Sequence, residues 1–291
     1  MRPDKLIAKT AFDALLKRKA TLAADVVWVH HCGEGRRAAV RLDALTVQPR
    51  IAFLSRGDID AIRPVRAAAL AALQPHPDLA WIDEQRLADE DGVVTLDPRG
   101  GVTEQPMPIA TDKPYVSAGA PQGLFLHELA KAFRPTTCLE LGTAYGISTL
   151  YLLAGMEKGR VVTVEGDPVR RDSALRTFGR HRLASRVDSV AGWFPQVIPD
   201  ALARIDGPLD MVFEDGPHTA DVTLAAFLAV IDRVKPGGIL VFDDIYHNAG
   251  NEPAWHEIAS HPLIAASAEL NARQGICVKI NPSSRPTATT K

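Results

Sequence analysis

The chain has 291 residues, which is enough for one large domain or two modest ones. Its 33 Lys and Arg residues nearly balance 35 Asp and Glu residues, so we expect no nucleic-acid partner. The 3 cysteines are too few and too scattered for a disulfide framework, which favours a reducing compartment. Charges interrupt the apolar N-terminal stretches, and no run reaches the ~18 apolar residues of a membrane span, so we expect a cytoplasmic protein without a membrane partner.

The first third of the chain has the pattern of a small mixed unit. An amphipathic helix is predicted over 4–20, and short apolar runs alternate with one further helical stretch up to about residue 97. No catalytic constellation stands out there. Prolines and glycines cluster over 98–121, which marks a boundary. We therefore predict an N-terminal mixed α/β accessory unit over 1–105 and a linker over 106–121.

Beyond the boundary, helical and strand-like runs alternate at regular spacing. The runs are LFLHELAKAF, TCLEL, ISTLYLLAGM, RVVTVE, PVRRDSALRTFG, RVDSV, LDMVFE and GILVFD. Such alternation indicates parallel pairing through right-handed crossovers, hence an α/β, Rossmann-like, doubly wound and mostly parallel sheet. This domain is expected over 122–282, followed by a polar tail over 283–291 that is predicted to be disordered.

The first strand of that domain leads into a glycine-containing turn, LELGTAYGIST. Ligands of doubly wound sheets bind beyond the carboxyl ends of the strands, and Gly142 and Gly146 would let a ligand approach the backbone there. The helix that follows offers free N–H groups to an anion. Glu165 ends the next strand, where a carboxylate can accept hydrogen bonds from ribose hydroxyls. The glycine turn and the acidic residue together predict a nucleoside-containing ligand. If the glycines served only to form a turn, no acidic residue would be expected at the end of the next strand.

The spacing of the turn also bears on which nucleoside binds. Between Gly142 and Gly146 the sequence reads Thr143, Ala144 and Tyr145, so the central glycine that admits a pyrophosphate is missing. NAD is therefore the weaker alternative.

Four ordered motifs resemble one enzyme family. LELGTAYGIST, VVTVEGDP, LDMVFEDGPH and VKPGGILVFDD, within residues 115–280, resemble the class I S-adenosylmethionine-dependent methyltransferases. Among these they are similar to the metal-dependent O-methyltransferases of the catechol and macrolide-sugar groups. The resemblance implies S-adenosylmethionine as the cofactor. The cofactor-binding residues that it implies are Val116, Ser117, Glu140, Gly142, Tyr145, Gly146, Ser148, Glu165, Gly192, Trp193, Phe194 and Asp215.

The resemblance also implies what several of these residues do. Ser148 would hold the cofactor carboxylate, and Glu165 the ribose. Trp193 and Phe194 fall where the family packs the adenine edge, although aromatic residues in such a run serve equally well in a hydrophobic core.

Acidic residues end the fourth and fifth strands of the domain. Asp215 follows one strand and Asp243 with Asp244 the other, so three carboxylates are expected to converge. Such a cluster needs a shifted protonation state or a hard cation, and oxygen ligands select Mg²⁺, Mn²⁺ or Ca²⁺. The alternative is that these aspartates cap helices. The resemblance implies the metal site, although relatives of this fold without metal also exist.

A histidine follows the fourth strand. His218 lies three residues after Asp215, and its imidazole titrates near neutrality, so it is our candidate for the base that takes a hydroxyl proton. Asp215 is the second predicted catalytic residue, and His247 is an alternative base. A divalent ion would stabilise the deprotonated acceptor.

These observations predict a metal-dependent O-methyltransferase that acts on a hydroxyl of a small molecule such as a sugar, a catechol or another natural product. The alternatives are a metal-independent methyltransferase, an NAD-linked oxidoreductase and a non-catalytic cofactor-binding module. The accessory unit could cover the site, pair two copies in a homodimer, or do both.

Overall fold

The structure is a computed structural model that describes residues 26–32, 36–43, 46–54, 77–94, 106–246, 251–270 and 273–280. The helix expected over 4–20, the tail expected over 283–291 and His247 lie outside these residues. Within the described ranges, no helix is both long enough and apolar enough to cross a bilayer.

The strands are β1 (Val26–Cys32), β2 (Arg36–Asp43), β3 (Thr46–Leu54), β4 (Val93–Val94), β5 (Met107–Pro108), β6 (Thr137–Leu141), β7 (Arg160–Glu165), β8 (Val187–Ala191), β9 (Leu209–Glu214), β10 (Val234–Phe242), β11 (Ile264–Leu270) and β12 (Gln274–Lys279). The α-helices are α1 (Ala80–Leu87), α2 (Ile109–Val116), α3 (Ala120–Phe133), α4 (Ile147–Gly155), α5 (Pro168–Arg180), α6 (Ile198–Ala203), α7 (Ala220–Val230) and α8 (Asn251–Ala259).

Contacts divide the chain into two compact units. The central unit comprises Leu73–Pro217, and the terminal unit comprises Met1–Ala72 together with His218–Lys291.

The central unit is built on a parallel sheet. Its strands run in the order β9-β6-β7-β8, and every neighbouring pair is parallel. The helices α4, α5 and α6 connect successive strands, which is the alternation predicted from the sequence. Leu139, Val162 and Val212 are fully or almost fully buried, as expected for strands covered on both faces.

Local sequence signals account for the start of α5. Asp167 is its N-cap and accepts hydrogen bonds from the backbone N–H groups of Val169 and Arg170, both at 2.9 Å. Pro168 occupies the first turn, where no intrahelical N–H bond is lost. The helix therefore begins directly after the end of β7.

The segment over 106–121, expected to be a linker, carries regular structure. It contains β5, which pairs with β4, and the helix α2. Ile109, Asp112 and Lys113 are each 1% exposed, so α2 is packed into the central unit. Prolines and glycines indicate where helices and strands end. They do not show whether a short helix or strand between them packs against the rest of the protein. The domain boundaries themselves stay a prediction.

The terminal unit contains an antiparallel sheet with strand order β3-β2-β1-β11-β12-β10. Strand β1, from the expected accessory unit, pairs with β11 through Trp28 opposite Leu270. The hairpin of β11 and β12 was not anticipated from the sequence. It lies beside β10 with Phe242 opposite Gly275.

Candidate cofactor site and active site

In the central unit, backbone hydrogen bonds join the carboxyl ends of the parallel strands. The N–H of Asp215 donates to the carbonyl of Leu141 at 2.9 Å, which joins β9 to β6. The N–H of Gly192 donates to the carbonyl of Glu165, also at 2.9 Å, which joins β8 to β7. The carboxyl ends of β6 to β9 therefore lie at one edge of the parallel sheet.

The glycine turn after β6 requires glycine at both ends. Gly142 has a φ of 101°, and a Cβ there would overlap the carbonyl oxygen of Asp215. Gly146 has a φ of 79°, and a Cβ there would press on the ring of Phe178. Gly146 is also the N-cap of α4, and no described side chain caps that helix. The first N–H groups of α4 are thus available to an anionic group, which fits a cofactor carboxylate.

Glu165, the predicted ribose ligand, is held by two backbone donors. Its Oε2 accepts the N–H of Ala144 at 2.7 Å, and its Oε1 accepts the N–H of Asp167 at 2.8 Å. Burial raises the pKa of this carboxyl group, and the two N–H donors partly offset that rise. Each carboxylate oxygen has a further lone pair, so both can still accept a hydroxyl. The geometry fits a ribose diol.

Glu140 lies beneath the turn and is fully buried. Its carboxylate accepts hydrogen bonds of 2.5 to 2.7 Å from the hydroxyls of Ser148, Thr149 and Thr163. Burial raises its pKa to about 7, although these three hydroxyls act in the opposite direction. Since Ser148 donates to Glu140, the direct cofactor contacts expected of these two residues stay a prediction.

A buried network that the sequence did not reveal supports the turn from α2. Tyr145 is fully buried and donates its hydroxyl to Asp112 at 2.7 Å. Arg170 also binds Asp112, through Nε at 2.8 Å and Nη2 at 2.9 Å. Burial, followed by the hydrogen bond to Asp112, raises the pKa of Tyr145. Val116 and Ser117, two predicted cofactor residues, end the same helix, so Asp112 ties their segment to the turn.

The two aromatic residues after β8 lie over glycines at strand ends. A Cβ on Gly166 would overlap the indole of Trp193, and one on Gly216 would overlap the ring of Phe194. Trp193 is 39% exposed, which is not the burial of a core residue. Trp193 is therefore not a core residue, and the contact of the two rings with the adenine stays a prediction.

The acidic pair after β10, in the terminal unit, is bound by an arginine. Arg273 donates from Nε to Asp243 Oδ1 at 3.1 Å and from Nη2 to Asp243 Oδ2 at 3.0 Å. The same Nε lies 3.1 Å from Asp244 Oδ1. Asp243 is 1% exposed, so its negative charge is compensated by this guanidinium within the protein.

The predicted metal cluster of Asp215, Asp243 and Asp244 is not found as such. Among the residues that the structure describes, no three His, Cys, Asp or Glu side chains are grouped closely enough to hold a metal ion. At Asp243 and Asp244, the positions expected for metal ligands, the carboxylates bind the guanidinium of Arg273. Arg273 lies 30 residues along the chain from Asp243, and no local sequence pattern connects the two.

His218, the predicted base, lies beside one member of the same acidic pair. Its Nε2 lies 3.5 Å from Asp244 Oδ2, and its side chain is 17% exposed. Both residues have left-handed backbone conformations, with φ of 53° for His218 and 48° for Asp244. A partly accessible imidazole beside a carboxylate can accept a proton and be stabilised as the imidazolium.

Comparison with known proteins shows which family the chain resembles. A family model described as a methyltransferase domain matches residues 139–245. The chain is 30% identical over 166 residues to a catechol O-methyltransferase of Niastella koreensis, an alignment that covers 56% of this chain and 72% of the relative. It is 32% identical over 142 residues to a catechol O-methyltransferase of Mycobacterium tuberculosis, covering 48% of this chain and 62% of the relative.

Solved structures show the same fold. An O-methyltransferase from Bacillus cereus in complex with SAH superposes with a TM-score of 0.55 at 20% identity, over 76% of this chain and 100% of that one. The O-methyltransferase TomG from Streptomyces achromogenes, in complex with SAM, superposes with a TM-score of 0.54 at 19% identity. The superposition covers 78% of this chain and 100% of TomG. The doubly wound fold expected from the sequence is therefore confirmed. Since the catechol O-methyltransferase relative is matched over most of its length, the chain belongs to the class I S-adenosylmethionine-dependent O-methyltransferases.

Proposed function

We propose that this O-methyltransferase methylates a hydroxyl oxygen of a small molecule such as a catechol, a sugar or another natural product. The observation that carries the cofactor half of the proposal is Glu165, a buried carboxylate held by two backbone N–H groups beside the open start of α4. The names of the two catechol O-methyltransferase relatives support a catechol as the first acceptor to test.

Bound S-adenosylmethionine would supply an electrophilic methyl group: the acceptor oxygen forms the new C–O bond as the C–S bond breaks, and S-adenosylhomocysteine and a proton are released. The residues of this chain would bind and orient the reactants. The first turn of α4 would hold the cofactor carboxylate, and Glu165 would accept hydrogen bonds from the ribose. Trp193 and Phe194 would contact the adenine. Holding the two reactants in this alignment can supply a large part of the reduction in activation free energy.

His218 would take the proton that the acceptor hydroxyl loses. Asp244, at 3.5 Å, would stabilise the imidazolium that forms. A divalent cation does not fit the acidic pair as it stands, because Arg273 already binds both carboxylates. This contact therefore favours the metal-independent alternative.

Titration calorimetry with S-adenosylmethionine tests the cofactor half. We expect the wild-type protein to bind it and Glu165→Gln to bind it about tenfold to a hundredfold more weakly, as for losing a hydrogen bond to a charged group. The amide introduced by this substitution would also turn its own NH₂ group toward the N–H of Ala144 or Asp167. Glu157→Gln, at an exposed position after α4, is the matched control and should bind normally. Absence of binding to the wild-type protein would refute the proposal.

A further inference from the structure

We propose that the guanidinium of Arg273 takes the place of a divalent cation at Asp243 and Asp244, so that this acidic pair is closed to metal ions. The inference rests on the proposed function, since it concerns the charge beside the proposed base. It departs from the three-aspartate metal site that the sequence motifs imply.

The first support is the geometry of the side chains. Arg273 reaches both oxygens of Asp243, at 3.1 and 3.0 Å, in the two-pronged arrangement that suits a guanidinium and a carboxylate. Its Nε also lies 3.1 Å from Asp244. Because Asp243 is almost completely buried, a cation could reach its oxygens only after the guanidinium had left.

The second support is independent of the Arg273 side chain and concerns the backbone. The N–H of Ile245, directly after the acidic pair, donates to the carbonyl of Arg273 at 2.8 Å. In the adjacent ladder, Phe242 lies opposite Gly275, and a Cβ on Gly275 would overlap the ring of Trp255. The hairpin of β11 and β12 is thus held in register with β10, and this register brings Arg273 to the aspartates.

The third support is a further fixed contact of the acidic pair. The side-chain amide of Asn251 donates to the carbonyl of Asp244 at 3.0 Å, which holds Asp244 in place from another side. The acidic pair and Arg273 are therefore each positioned by contacts within the chain.

Mn²⁺ binding, measured by electron paramagnetic resonance on the full-length protein, tests the inference without any methyl acceptor. We expect the wild-type protein to show no Mn²⁺ binding above that of a surface-charge background. Arg273→Gln removes the cation and leaves a shorter, polar side chain, and it should bind one Mn²⁺ at least about tenfold more tightly than the wild type. Arg273→Lys retains a positive charge and should resemble the wild type.

A double variant, Arg273→Gln with Asp243→Asn, locates the new site, because it should lose the Mn²⁺ binding that Arg273→Gln gained. Stoichiometric Mn²⁺ binding by the wild-type protein would overturn the inference. This measurement does not depend on whether any variant folds. Failure of a folded Arg273→Gln protein to bind Mn²⁺ would overturn it as well. S-adenosylhomocysteine binding, measured on the same samples, separates the two proposals: the inference can fail while cofactor binding stays intact.

Discussion

Glu140 shows how burial sets the chemistry of a single residue. It is fully enclosed, and burial raises its pKa to about 7 despite three hydroxyl donors. An acid whose pKa is raised in the folded state binds its proton more tightly there than in the unfolded chain. Its contribution to stability is therefore complete below about pH 4.5, the ordinary value, and is lost as the pH rises through about 7.

A neutral isostere makes this titration measurable. We expect the free energy of unfolding of the wild-type protein, relative to that of Glu140→Gln, to fall by about 3 kcal/mol from acid to neutral pH. The reason is that only the wild-type protein must bury a carboxylate as the proton is released. Urea unfolding of both proteins across this range is the measurement. Parallel pH profiles would show that Glu140 titrates normally.

His218 is the residue on which the proposed proton transfer depends. We expect His218→Ala to lower turnover about 10² to 10⁴-fold, the usual contribution of a general base. The affinity for S-adenosylmethionine should change little, because nothing in the proposal places this side chain on the cofactor. Steady-state kinetics with a catechol that the wild-type protein methylates, combined with calorimetry, tests this. An equal loss of turnover and cofactor affinity would identify a structural histidine instead.

At the scale of elements, the turn between β6 and α4 depends on close backbone packing. Gly142 has a positive φ, and its Cα faces the carbonyl of Asp215 with no room for a side chain. Gly207 also has a positive φ, of 81°, but a Cβ there would meet nothing within 4 Å. A comparison of alanine substitutions at these two glycines therefore separates two contributions to the loss of stability. One is the strain of a positive φ, and the other is the steric overlap with Asp215.

We therefore expect Gly142→Ala to lower the free energy of unfolding by clearly more than Gly207→Ala does, and to weaken S-adenosylmethionine binding. Strain from a positive φ alone is worth about 1 to 2 kcal/mol, and it applies to both variants. Only Gly142→Ala must also move β9 away from the turn. Urea unfolding and calorimetry on the two variants check this, and equal losses in both would mean that the contact with Asp215 has no cost.

The helix α2 is a second element whose place depends on distant contacts. It lies in the stretch that breaker residues marked as a linker, yet Asp112 binds Tyr145 and Arg170, which lie 33 and 58 residues further along the chain. The residue spacing within α2 contains no sign of these partners. The contacts of α2 therefore support the turn between β6 and α4, and no local sequence pattern predicts them.

For the whole molecule, cofactor binding should be linked to global stability. A ligand that binds only the folded protein stabilises it by about 2.7 kcal/mol when its concentration is 100 times the Kd. We expect S-adenosylhomocysteine to produce a gain of this size in the wild-type protein. Urea unfolding at increasing ligand concentration measures it, with adenosine diphosphate as a nucleotide control that should stabilise far less. A larger effect of the control would favour a nucleotide-binding protein of another kind.

The parallel α/β pattern, the glycine turn and the acidic residue that ends β7 can all be predicted from the amino-acid sequence. These features are local: alternation of strands and helices, a turn that needs glycine, and a carboxylate directly after a strand are all properties of neighbouring residues. Even the spacing from Gly146 to Glu165 spans a single helix and strand. Such signals remain readable without knowledge of any distant contact.

The electrostatic environment of the acidic pair, by contrast, depends on contacts between residues that are distant in the sequence. The sequence shows Asp243 and Asp244 as two adjacent carboxylates, and this pattern predicts a bound metal cation. Both carboxylates are bound by Arg273, which the β11–β12 hairpin brings within 3.1 Å of each. Charge compensation depends on distance in space, whereas sequence motifs record only distance along the chain, and for this reason the arginine could not be anticipated.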